Sequence, residues 1–280
     1  MHHPLAPGIE DLITLALAED LGPGDVTTEA TVEPTREGSG TVVAREALVV
    51  SGVTVAARVF ERVGPDLLID PMVKDGDLLV AGAPVLRVSG RLAPILSAER
   101  LALNFLQRLS GIATRTAHFV DALGEGRTRL LDTRKTTPGL RLLEKAAVRH
   151  GGGHNHRIGL FDGVMIKDNH IVAAGGITIA VERARERVGP LTRIEVEVED
   201  LAGLEEAITA GAEMVMLDNM DDARVAEAVE AAGGRVLLEV SGGVTLERLP
   251  RLARAGVDYV SIGSIIHGAQ AVDLALDLNG

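Results

Sequence analysis

Cationic residues follow two short apolar runs in the middle of the chain. Arg134 and Lys135 come shortly after Arg129–Leu131, and Lys167 comes directly after Val164–Ile166. Both runs are typical of buried strands, and a buried strand that ends in charges is costly unless those charges meet water or a ligand. Arg offers bidentate contacts to carboxylate or phosphate, and Lys offers a compact positive charge. The pattern therefore predicts an anion-binding site where these strands end.

The distribution of charge supports the same site. The chain has a formal net charge of −12, yet residues 133–170 carry seven Lys or Arg against three acidic residues. Only four lysines occur in the chain, and three of them (Lys135, Lys145 and Lys167) lie in this segment. An acidic protein with one basic region attracts small anions to that region. The helical spacing around Lys145 indicates a solvated face, whereas Lys135 and Lys167 are the candidates for chemistry.

Acidic residues mark two later apolar runs. Glu195, Glu197 and Glu199 alternate with valines, and Asp218 ends the next run. Because side chains alternate across a strand, the three glutamates would share one face. Carboxylates that face one another repel unless cations, hydroxyl groups or Mg²⁺ lie between them. The pattern predicts contact with a polyhydroxyl or metal-bound ligand, although solvated acids on an edge strand would show it too.

The last two apolar runs end in turns rich in glycine and serine. One turn is Ser241-Gly242-Gly243, and the other is Gly263-Ser264. Backbone N–H groups that precede a helix form a ready anion site, and late turns of a βα barrel often hold phosphate. Two such turns at successive strands predict a phosphate group here. His154 and His156 have the spacing of metal ligands, but the absence of cysteine or a suitably spaced acid argues against zinc.

Alternating elements must position these residues. Short apolar runs and helix-like segments alternate after Arg129, which is typical of a parallel sheet covered on both faces. Six such units in about 150 residues predict a βα barrel with fewer than eight strands, whose carboxyl strand ends converge at one mouth. An open doubly wound sheet is the alternative, and the lack of a GxGxxG turn weakens it. The strand candidates are 129–133, 163–167, 193–198, 213–218, 236–240 and 257–262. The helix candidates are 138–149, 174–188, 201–210, 221–232 and 245–255.

The first hundred residues have a different pattern. Residues 9–20 carry apolar side chains at helical spacing. Residues 40–89 contain short β-rich runs separated by Gly and Pro, with a helix around 53–63, which predicts a small, largely antiparallel sheet. A long helix pattern covers 97–123, and it includes Arg100 in its first turn.

Composition excludes several classes of function. The chain has no cysteine, so a thiol nucleophile, a disulfide framework and thiolate-bound metal are excluded. The acidic balance argues against nonspecific binding of nucleic acid. No apolar run approaches the roughly 20 residues that cross a bilayer, and no secretory signal precedes the first helix pattern. These features predict a cytoplasmic protein.

At these residues the chain resembles the quinolinate phosphoribosyltransferase family, the decarboxylating nicotinate-nucleotide pyrophosphorylases. The similarity covers essentially the full chain, and the motifs around TRKTTPG and IKDNH are the most specific. The matching motifs are EDLGPGDVTT (19–28), ERLALNFLQRLSGIAT (99–114), LDTRKTTPGLR (131–141), GGGHNHRIGLFDGVMIKDNH (151–170), EVEVE (195–199), MLDN (216–219), EVSGG (239–243) and SIGS (261–264).

The resemblance implies an enzyme of de novo NAD synthesis. Such an enzyme converts quinolinate and phosphoribosyl pyrophosphate, with Mg²⁺, to nicotinate mononucleotide, pyrophosphate and CO₂. Together with the patterns above it predicts an α/β fold, in which residues 1–109 form an α/β sandwich domain and residues 110–280 form an incomplete (β/α) barrel of six or seven strands. The last few residues could return to the first domain. A homodimer with a shared active site is also implied, with a hexamer-type assembly of dimers as a further option.

The resemblance also assigns roles to residues. Lys135, Glu197 and Asp218 are implied as catalytic, and the last two are also candidates for contacting Mg²⁺, which the substrate mainly holds. The implied quinolinate-binding residues are Arg100, contributed by the neighbouring subunit, together with Thr133, Arg134, His156, Arg157 and Lys167. The implied phosphoribosyl-binding residues are Lys135, Glu197, Asp218, Ser241, Gly242, Gly243, Gly263 and Ser264.

Three other interpretations stay open at this point. Lys167 at the end of a barrel strand could form an imine, as in a Schiff-base lyase or aldolase. The second is a molybdenum-transport-associated relative of the family, which looks similar but is expected to lack the IKDNH motif. A non-catalytic anion-binding protein is the third class, and carboxylates facing a phosphate site argue against it.

Overall fold

The structure, a computed structural model, describes residues 7–279 and groups them into two compact units. The first unit comprises residues 7–117, 137–152 and 268–279, and the second comprises residues 118–136 and 153–267. The elements, in chain order, are α1 (Pro7–Leu21), α2 (Val26–Thr31), β1 (Glu37–Ala44), β2 (Leu48–Val49), α3 (Val53–Val63), β3 (Leu68–Pro71), β4 (Leu78–Leu79), β5 (Pro84–Arg91), α4 (Leu92–Leu123), β6 (Arg129–Leu131), α5 (Arg141–His150), β7 (Val164–Ile166), α6 (Asp168–Ala174), α7 (Ile177–Arg187), β8 (Ile194–Val198), α8 (Leu201–Thr209), β9 (Met214–Asp218), α9 (Asp222–Ala232), β10 (Leu237–Ser241), a 3₁₀ turn (Leu246–Arg248), α10 (Leu249–Ala255), β11 (Tyr259–Ser261), α11 (Ser264–His267) and β12 (Leu274–Asn279).

The first unit is built on a four-stranded antiparallel sheet with the order β12-β1-β5-β3. Helix α3 packs against β3 and β5, and its apolar face, which includes Val55, Val59 and Phe60, is buried. Strand β12 pairs with β1 along its whole length, so residues 274–279 belong to this sheet. The small antiparallel sheet predicted from the β-rich runs is confirmed.

Helix α5 also belongs to the first unit, although its sequence lies between two barrel strands. The fully buried Glu144 accounts for this grouping, because its carboxylate accepts hydrogen bonds from Arg108 (Nη2 at 2.8 Å) and from the backbone N–H of Thr137 (2.8 Å). The predicted boundary at residue 109 falls inside α4, and the two units divide that helix after Ala117.

The second unit contains a six-stranded parallel sheet with the order β6-β11-β10-β9-β8-β7. Strands β6 and β7 are its two edges, so the six strands form the incomplete (β/α) barrel that the alternating pattern predicted. One face of the sheet is apolar and fully buried, as at Val196, Leu217 and Val240. The helices pack against this face. Gly203 of α8, for example, lies so close to β8 that a Cβ atom at this position would be 3.3 Å from the side chain of Val198.

The helix predicted at 174–188 corresponds to α7, and the short helix α6 that precedes it was not predicted. Helix α6 ends at Ala174, and α7 begins at Ile177. Gly175 and Gly176 separate them with φ values of +96° and +144°, which other residues rarely adopt. Helix α6 starts immediately after Lys167, whose backbone N–H donates to His170 Nδ1 at 3.0 Å. This cap fixes the backbone of Lys167 at the end of β7.

None of the helices in residues 7–279 has the length and apolar character needed to span a bilayer.

Candidate functional site

A pocket of about 640 Å³ opens at the carboxyl ends of the parallel strands in the second unit. All six strands of the sheet contribute to it, or the residues that follow them do, because the carboxyl ends of parallel strands meet at the same edge. The lining residues are Asp132, Thr133, Arg134, Lys135, His156, Arg157, Met165, Lys167, Glu197, Met216, Asp218, Asn219, Glu239, Ser241, Gly242, Gly243 and Ser261.

The structure brings most of the predicted site residues together in this pocket. Those that line it are Thr133, Arg134, Lys135, His156, Arg157, Lys167, Glu197, Asp218, Ser241, Gly242 and Gly243. Gly263 lies directly beside it, since a side chain there would come within 2.9 Å of Lys135 Cδ, and the half-buried Ser264 follows at the start of α11. Arg100 is exposed on α4 in the first unit and does not line the pocket.

Asp132 organises the segment that carries the predicted cations. It is fully buried at the end of β6, and its carboxylate accepts the backbone N–H of His156 at 2.9 Å and Asn155 Nδ2 at 2.6 Å. The backbone of His154 pairs with the edge strand, donating to Leu130 O at 2.8 Å and accepting from Asp132 N. These bonds hold residues 154–157 against the open edge of the barrel.

Arg157 is a half-buried cation, and the charges of Glu195 and Asp162 offset only part of the cost of its burial. Its Nη1 donates to the carbonyl oxygen of Gly163 at 3.0 Å, whereas within residues 7–279 its buried Nε has no hydrogen-bond partner. Burial, and next to it the charge of Arg134, lower the pKa of Arg157 below its usual range. A guanidinium in this condition is stabilised by an anion that supplies both a negative charge and acceptor oxygens.

Lys167 and Lys135 lie on opposite edges of the sheet. The ammonium group of Lys167, at the end of β7, forms an ion pair and hydrogen bond with the carboxylate of Glu197 on β8. Lys135 follows β6, is exposed, and its backbone N–H donates to Thr133 Oγ1 at 3.0 Å. The two lysines therefore present positive charge to a ligand from two sides, with Lys167 already held by an acid.

A tight turn at Asn219 places the carboxylate of Asp218 beside Ser241-Gly242-Gly243, the turn that is predicted to bind phosphate. Asn219 Nδ2 donates to Asp218 Oδ2 at 2.7 Å, and the backbone N–H of Asn219 donates to Ser241 O at 3.0 Å. Asn219 has φ +55°, and a side chain at Gly242 would lie 2.1 Å from Asn219 Oδ1. Gly242 has φ +88°, so both its conformation and the close approach of Asn219 require glycine. Asp218 and the turn therefore form one unit.

Three ionisable groups meet at the inner end of the pocket. His156 Nε2 lies 2.9 Å from Glu195 Oε2 and 3.7 Å from Glu239 Oε2. Glu195 and Glu239 are 4% and 0% exposed. Burial, reinforced by the charge of Glu195, raises the pKa of Glu239 to about 8. Glu239 was missed by the sequence analysis, although an acid inside the apolar run VLLEV is the signal that could have identified it.

The prediction that three glutamates share one face of a strand is wrong for Glu199. Strand β8 ends at Val198, so Glu199 lies beyond the strand and is exposed, outside the pocket. The pleat that aligns Glu195 with Glu197 does not continue to it, because Asp200 already caps helix α8.

The arrangement can bind two kinds of anionic group. Cations from Arg134, Arg157 and Lys167 surround one part of the pocket, where carboxylates would be held. Asp218 and the turn of Ser241, Gly242 and Gly243 form another part, where a carboxylate lies beside a turn that a phosphate could approach closely. Hydroxyl groups and a phosphate on one molecule fit that combination.

Comparison with known proteins shows which family has this architecture. The family model described as quinolinate phosphoribosyl transferase, C-terminal domain, matches residues 112–277, and the corresponding N-terminal domain model matches residues 25–110. Both barrel and sheet regions are therefore covered.

Individual relatives match over nearly the full chain. A probable nicotinate-nucleotide pyrophosphorylase [carboxylating] of Bacillus subtilis is 40% identical, over 96% of this chain and 93% of its own length. A chloroplastic nicotinate-nucleotide pyrophosphorylase [carboxylating] of Arabidopsis thaliana is 43% identical, over 97% and 83%. The crystal structure of NadC from Streptococcus pyogenes superposes with a TM-score of 0.95 at 42% identity, covering 99% of both chains.

Proposed function

The chain belongs to the quinolinate phosphoribosyltransferase family, and from this premise we infer that its pocket joins quinolinate to phosphoribosyl pyrophosphate in de novo NAD synthesis. The products are nicotinate mononucleotide, pyrophosphate and CO₂. The observation that carries the assignment to this pocket is the half-buried guanidinium of Arg157. Its buried Nε has no hydrogen-bond partner within residues 7–279, and Asp218 and the turn at Gly242 line the same pocket.

The cationic part of the pocket fits the dicarboxylate. We assign the two carboxylates of quinolinate to Arg134, Arg157 and Lys167, because these cations converge from both edges of the sheet. Thr133 would contribute a polar contact to the same substrate, and His156, whose ring nitrogens are bonded to the backbone of Arg157 and to Glu195, would contact it through the face of its ring. Binding would require Lys167 to share its charge between Glu197 and a substrate carboxylate, which the exposed fraction of its side chain, 41%, allows.

The turn side of the pocket fits the phosphoribosyl donor. Ser241, Gly242 and Gly243 would hold the 5′-phosphate through hydroxyl and backbone N–H groups, together with Gly263 and Ser264. Asp218 lies next to that turn, where it would accept the ribose hydroxyls. The exposed ammonium of Lys135, beside Gly263, would face the negative charge of the donor's phosphates.

The chemistry needs positioning and electrostatics rather than a protein nucleophile. The pyridine nitrogen attacks the anomeric carbon, the bond to pyrophosphate breaks, and the ring nitrogen becomes cationic. The bond to the 2-carboxylate then breaks, CO₂ leaves, and the carbanion at that carbon takes up a proton. Glu197 and Asp218 would stabilise positive charge that develops at the anomeric carbon, and holding both substrates in contact supplies much of the acceleration.

Mg²⁺ is the metal that we propose for the reaction. Carboxylate and phosphate oxygens are the ligands this ion prefers, and it keeps several waters. The half-buried carboxylate of Asp218 at the donor side fits such a role, whereas Glu197 is already bound by Lys167. When bound, the ion would neutralise charge on the departing pyrophosphate.

We further propose a homodimer in which Arg100 of one subunit completes the pocket of the other. Arg100 is exposed and outside the pocket of its own chain, so it is free to serve a neighbour. Mixing inactive Arg100→Ala protein with inactive Lys135→Ala protein is expected to restore about a quarter of wild-type activity, since random exchange makes half of the dimers hybrid, each with one intact site. Activity that stays absent after subunit exchange is verified by mass spectrometry would contradict sharing.

Arg157→Ala is expected to separate the two substrates kinetically. Loss of a charged hydrogen-bonding partner costs about 1.5–3 kcal/mol, so the KM for quinolinate should rise about 10–10²-fold. The KM for phosphoribosyl pyrophosphate should change far less. Steady-state kinetics with each substrate varied in turn provides the measurement, and Arg224→Ala, at an exposed position of α9, is the matched control. An equal rise of both KM values would contradict the assignment.

A product assay tests the function itself. Purified protein with Mg²⁺ and phosphoribosyl pyrophosphate should form nicotinate mononucleotide from quinolinate, identified by mass, and should not do so from nicotinate. Borohydride added during turnover should leave Lys167 unmodified, whereas a trapped adduct on Lys167 would support the Schiff-base alternative. The cytoplasm is the compartment we propose, and fractionation of the source cells would test it.

A further inference from the structure

His156, Glu195 and Glu239 form a cluster in which two buried carboxyl groups lie close together. The proposed reaction gives no reason for this arrangement. Within the part of the chain that the structure describes, neither carboxylate oxygen of Glu239 accepts a hydrogen bond, and Glu195 Oε1 accepts none. The three groups offer ligand atoms that all lie within 4.8 Å of one another. Two ionised carboxylates cannot be buried in this way at small cost, so the cluster must hold either a proton or a cation.

The hydrogen bonds of His156 decide between these options. The backbone N–H of Arg157 donates to His156 Nδ1 at 2.7 Å, so this nitrogen carries no proton. The proton of the neutral imidazole is then on Nε2, which donates to Glu195 Oε2 at 2.9 Å. A nitrogen that carries a proton has no lone pair for a metal ion. The geometry therefore favours a proton over a metal cation.

We propose that Glu239 carries a proton beneath the pocket and is a specificity-determining residue, because an uncharged carboxyl at this place is what allows the pocket to accept a substrate with two carboxylates. The inference deepens the proposed function and rests on it for the identity of the dicarboxylate. An ionised Glu239 would add a second negative charge next to Glu195, directly below the groups that must attract a dianion.

The surroundings of Glu239 compensate that second charge only in part. Glu195 faces it from β8, His156 from the segment between α5 and β7, Lys167 from the end of β7 and Ser261 from β11. Burial and Glu195 disfavour the ionised form of Glu239 more strongly than His156, Ser261 and Lys167 favour it. Burial and the neighbouring Glu195 raise the pKa of Glu239 to about 8, so the proton is retained at neutral pH.

The kinetic consequence is a rise in the KM for quinolinate at alkaline pH. If only the protonated form of Glu239 admits the dianion, the KM should increase about tenfold for each pH unit above 8. Glu239→Gln keeps the shape and stays uncharged, so its KM should remain nearly constant across that range. Glu230→Gln, at an exposed position of α9, is the matched control and should follow the wild-type curve. A Gln variant that shows the same alkaline rise would overturn the proposal.

Two measurements that need no turnover separate this inference from the proposed reaction. Infrared spectra at pH 7 should contain the C=O band of an un-ionised carboxyl, which vanishes in Glu239→Gln, and absence of that band in the wild type would overturn the proposal. The native state keeps a proton that the unfolded chain, with a carboxyl pKa near 4.5, releases. The free energy of unfolding should therefore fall as pH rises from 4.5 to 8, and less so in the Gln variant.

The metal alternative has its own outcome. Elemental analysis of the purified protein should find no zinc or manganese bound in proportion to the chain. A stoichiometric metal that Glu239→Gln loses, and Glu230→Gln retains, would overturn the assignment of a proton. If the protein proves to lack quinolinate turnover, the infrared and unfolding measurements still test the buried proton, while the kinetic arm fails together with the proposed function.

Discussion

Replacing Lys135 with alanine is expected to lower kcat/KM by about 10³-fold without unfolding the protein. Removing one preorganised group that faces developing charge typically costs 10²–10³-fold, and a full positive charge near the donor's phosphates should act at the upper end of that range. Lys135 is exposed, and its Cδ lies beside the turn at Gly263, so the loss of its methylenes should cost little stability.

The test of Lys135 needs a control for the loss of a lysine as such. Lys74→Ala supplies it, because Lys74 is exposed in the first unit and the chain has only four lysines. Steady-state kinetics with both substrates varied, and circular dichroism of each variant, are the measurements. Near wild-type turnover in Lys135→Ala would remove this residue from the proposed catalytic set.

Asp218→Asn is expected to reduce kcat by about 10²-fold, since the amide keeps the shape of the carboxylate but not the charge that stabilises a cationic anomeric carbon. The hydrogen bond from Asn219 Nδ2 to Asp218 Oδ2 can be kept by the amide oxygen, so the turn at Gly242 should survive. Asp121→Asn, at an exposed position of α4, is the matched control. A variant whose KM for the donor rises while its kcat is unchanged would show that Asp218 only binds the sugar.

The parts of the fold that follow from local patterns could be predicted from the sequence. Strands such as Ile194–Val198 and Met214–Asp218 are short apolar runs, and their alternation with helices implies a parallel sheet with one functional edge. Residues at the carboxyl ends of the strands, such as Lys135 and Lys167, could therefore be assigned to one pocket before any contact was known. The expected roles of these residues in binding stay predictions.

Features that depend on contacts between distant parts of the chain could not be predicted in this way. The role of Asp132 comes from bonds to residues 155–156, and the requirement for glycine at 242 comes from Asn219, 23 positions earlier. Helix α5 belongs to the first unit because buried Glu144 meets Arg108, 36 residues before it. Hydrophobic periodicity carries no information about such pairs, so the sequence placed α5 with the barrel.

Glu239 shows the same limit in the site itself. An acidic residue within an apolar strand could be exposed to solvent or could be a buried functional group. Only the proximity of His156 and Glu195 distinguishes these cases. Its elevated pKa arises from burial and from a carboxylate on another strand. Neither cause can be read from the residues adjacent to Glu239 in the chain.

The central claim is that one pocket binds a pyridine dicarboxylate beside an activated ribose. Release of isotopically labelled CO₂ tests this claim most directly. Quinolinate labelled in the 2-carboxylate should release its label only when phosphoribosyl pyrophosphate is present, with one CO₂ for each pyrophosphate formed. Quinolinate labelled in the 3-carboxylate should keep its label in the nucleotide product. Release of CO₂ without the donor, or formation of pyrophosphate with no CO₂, would contradict the account.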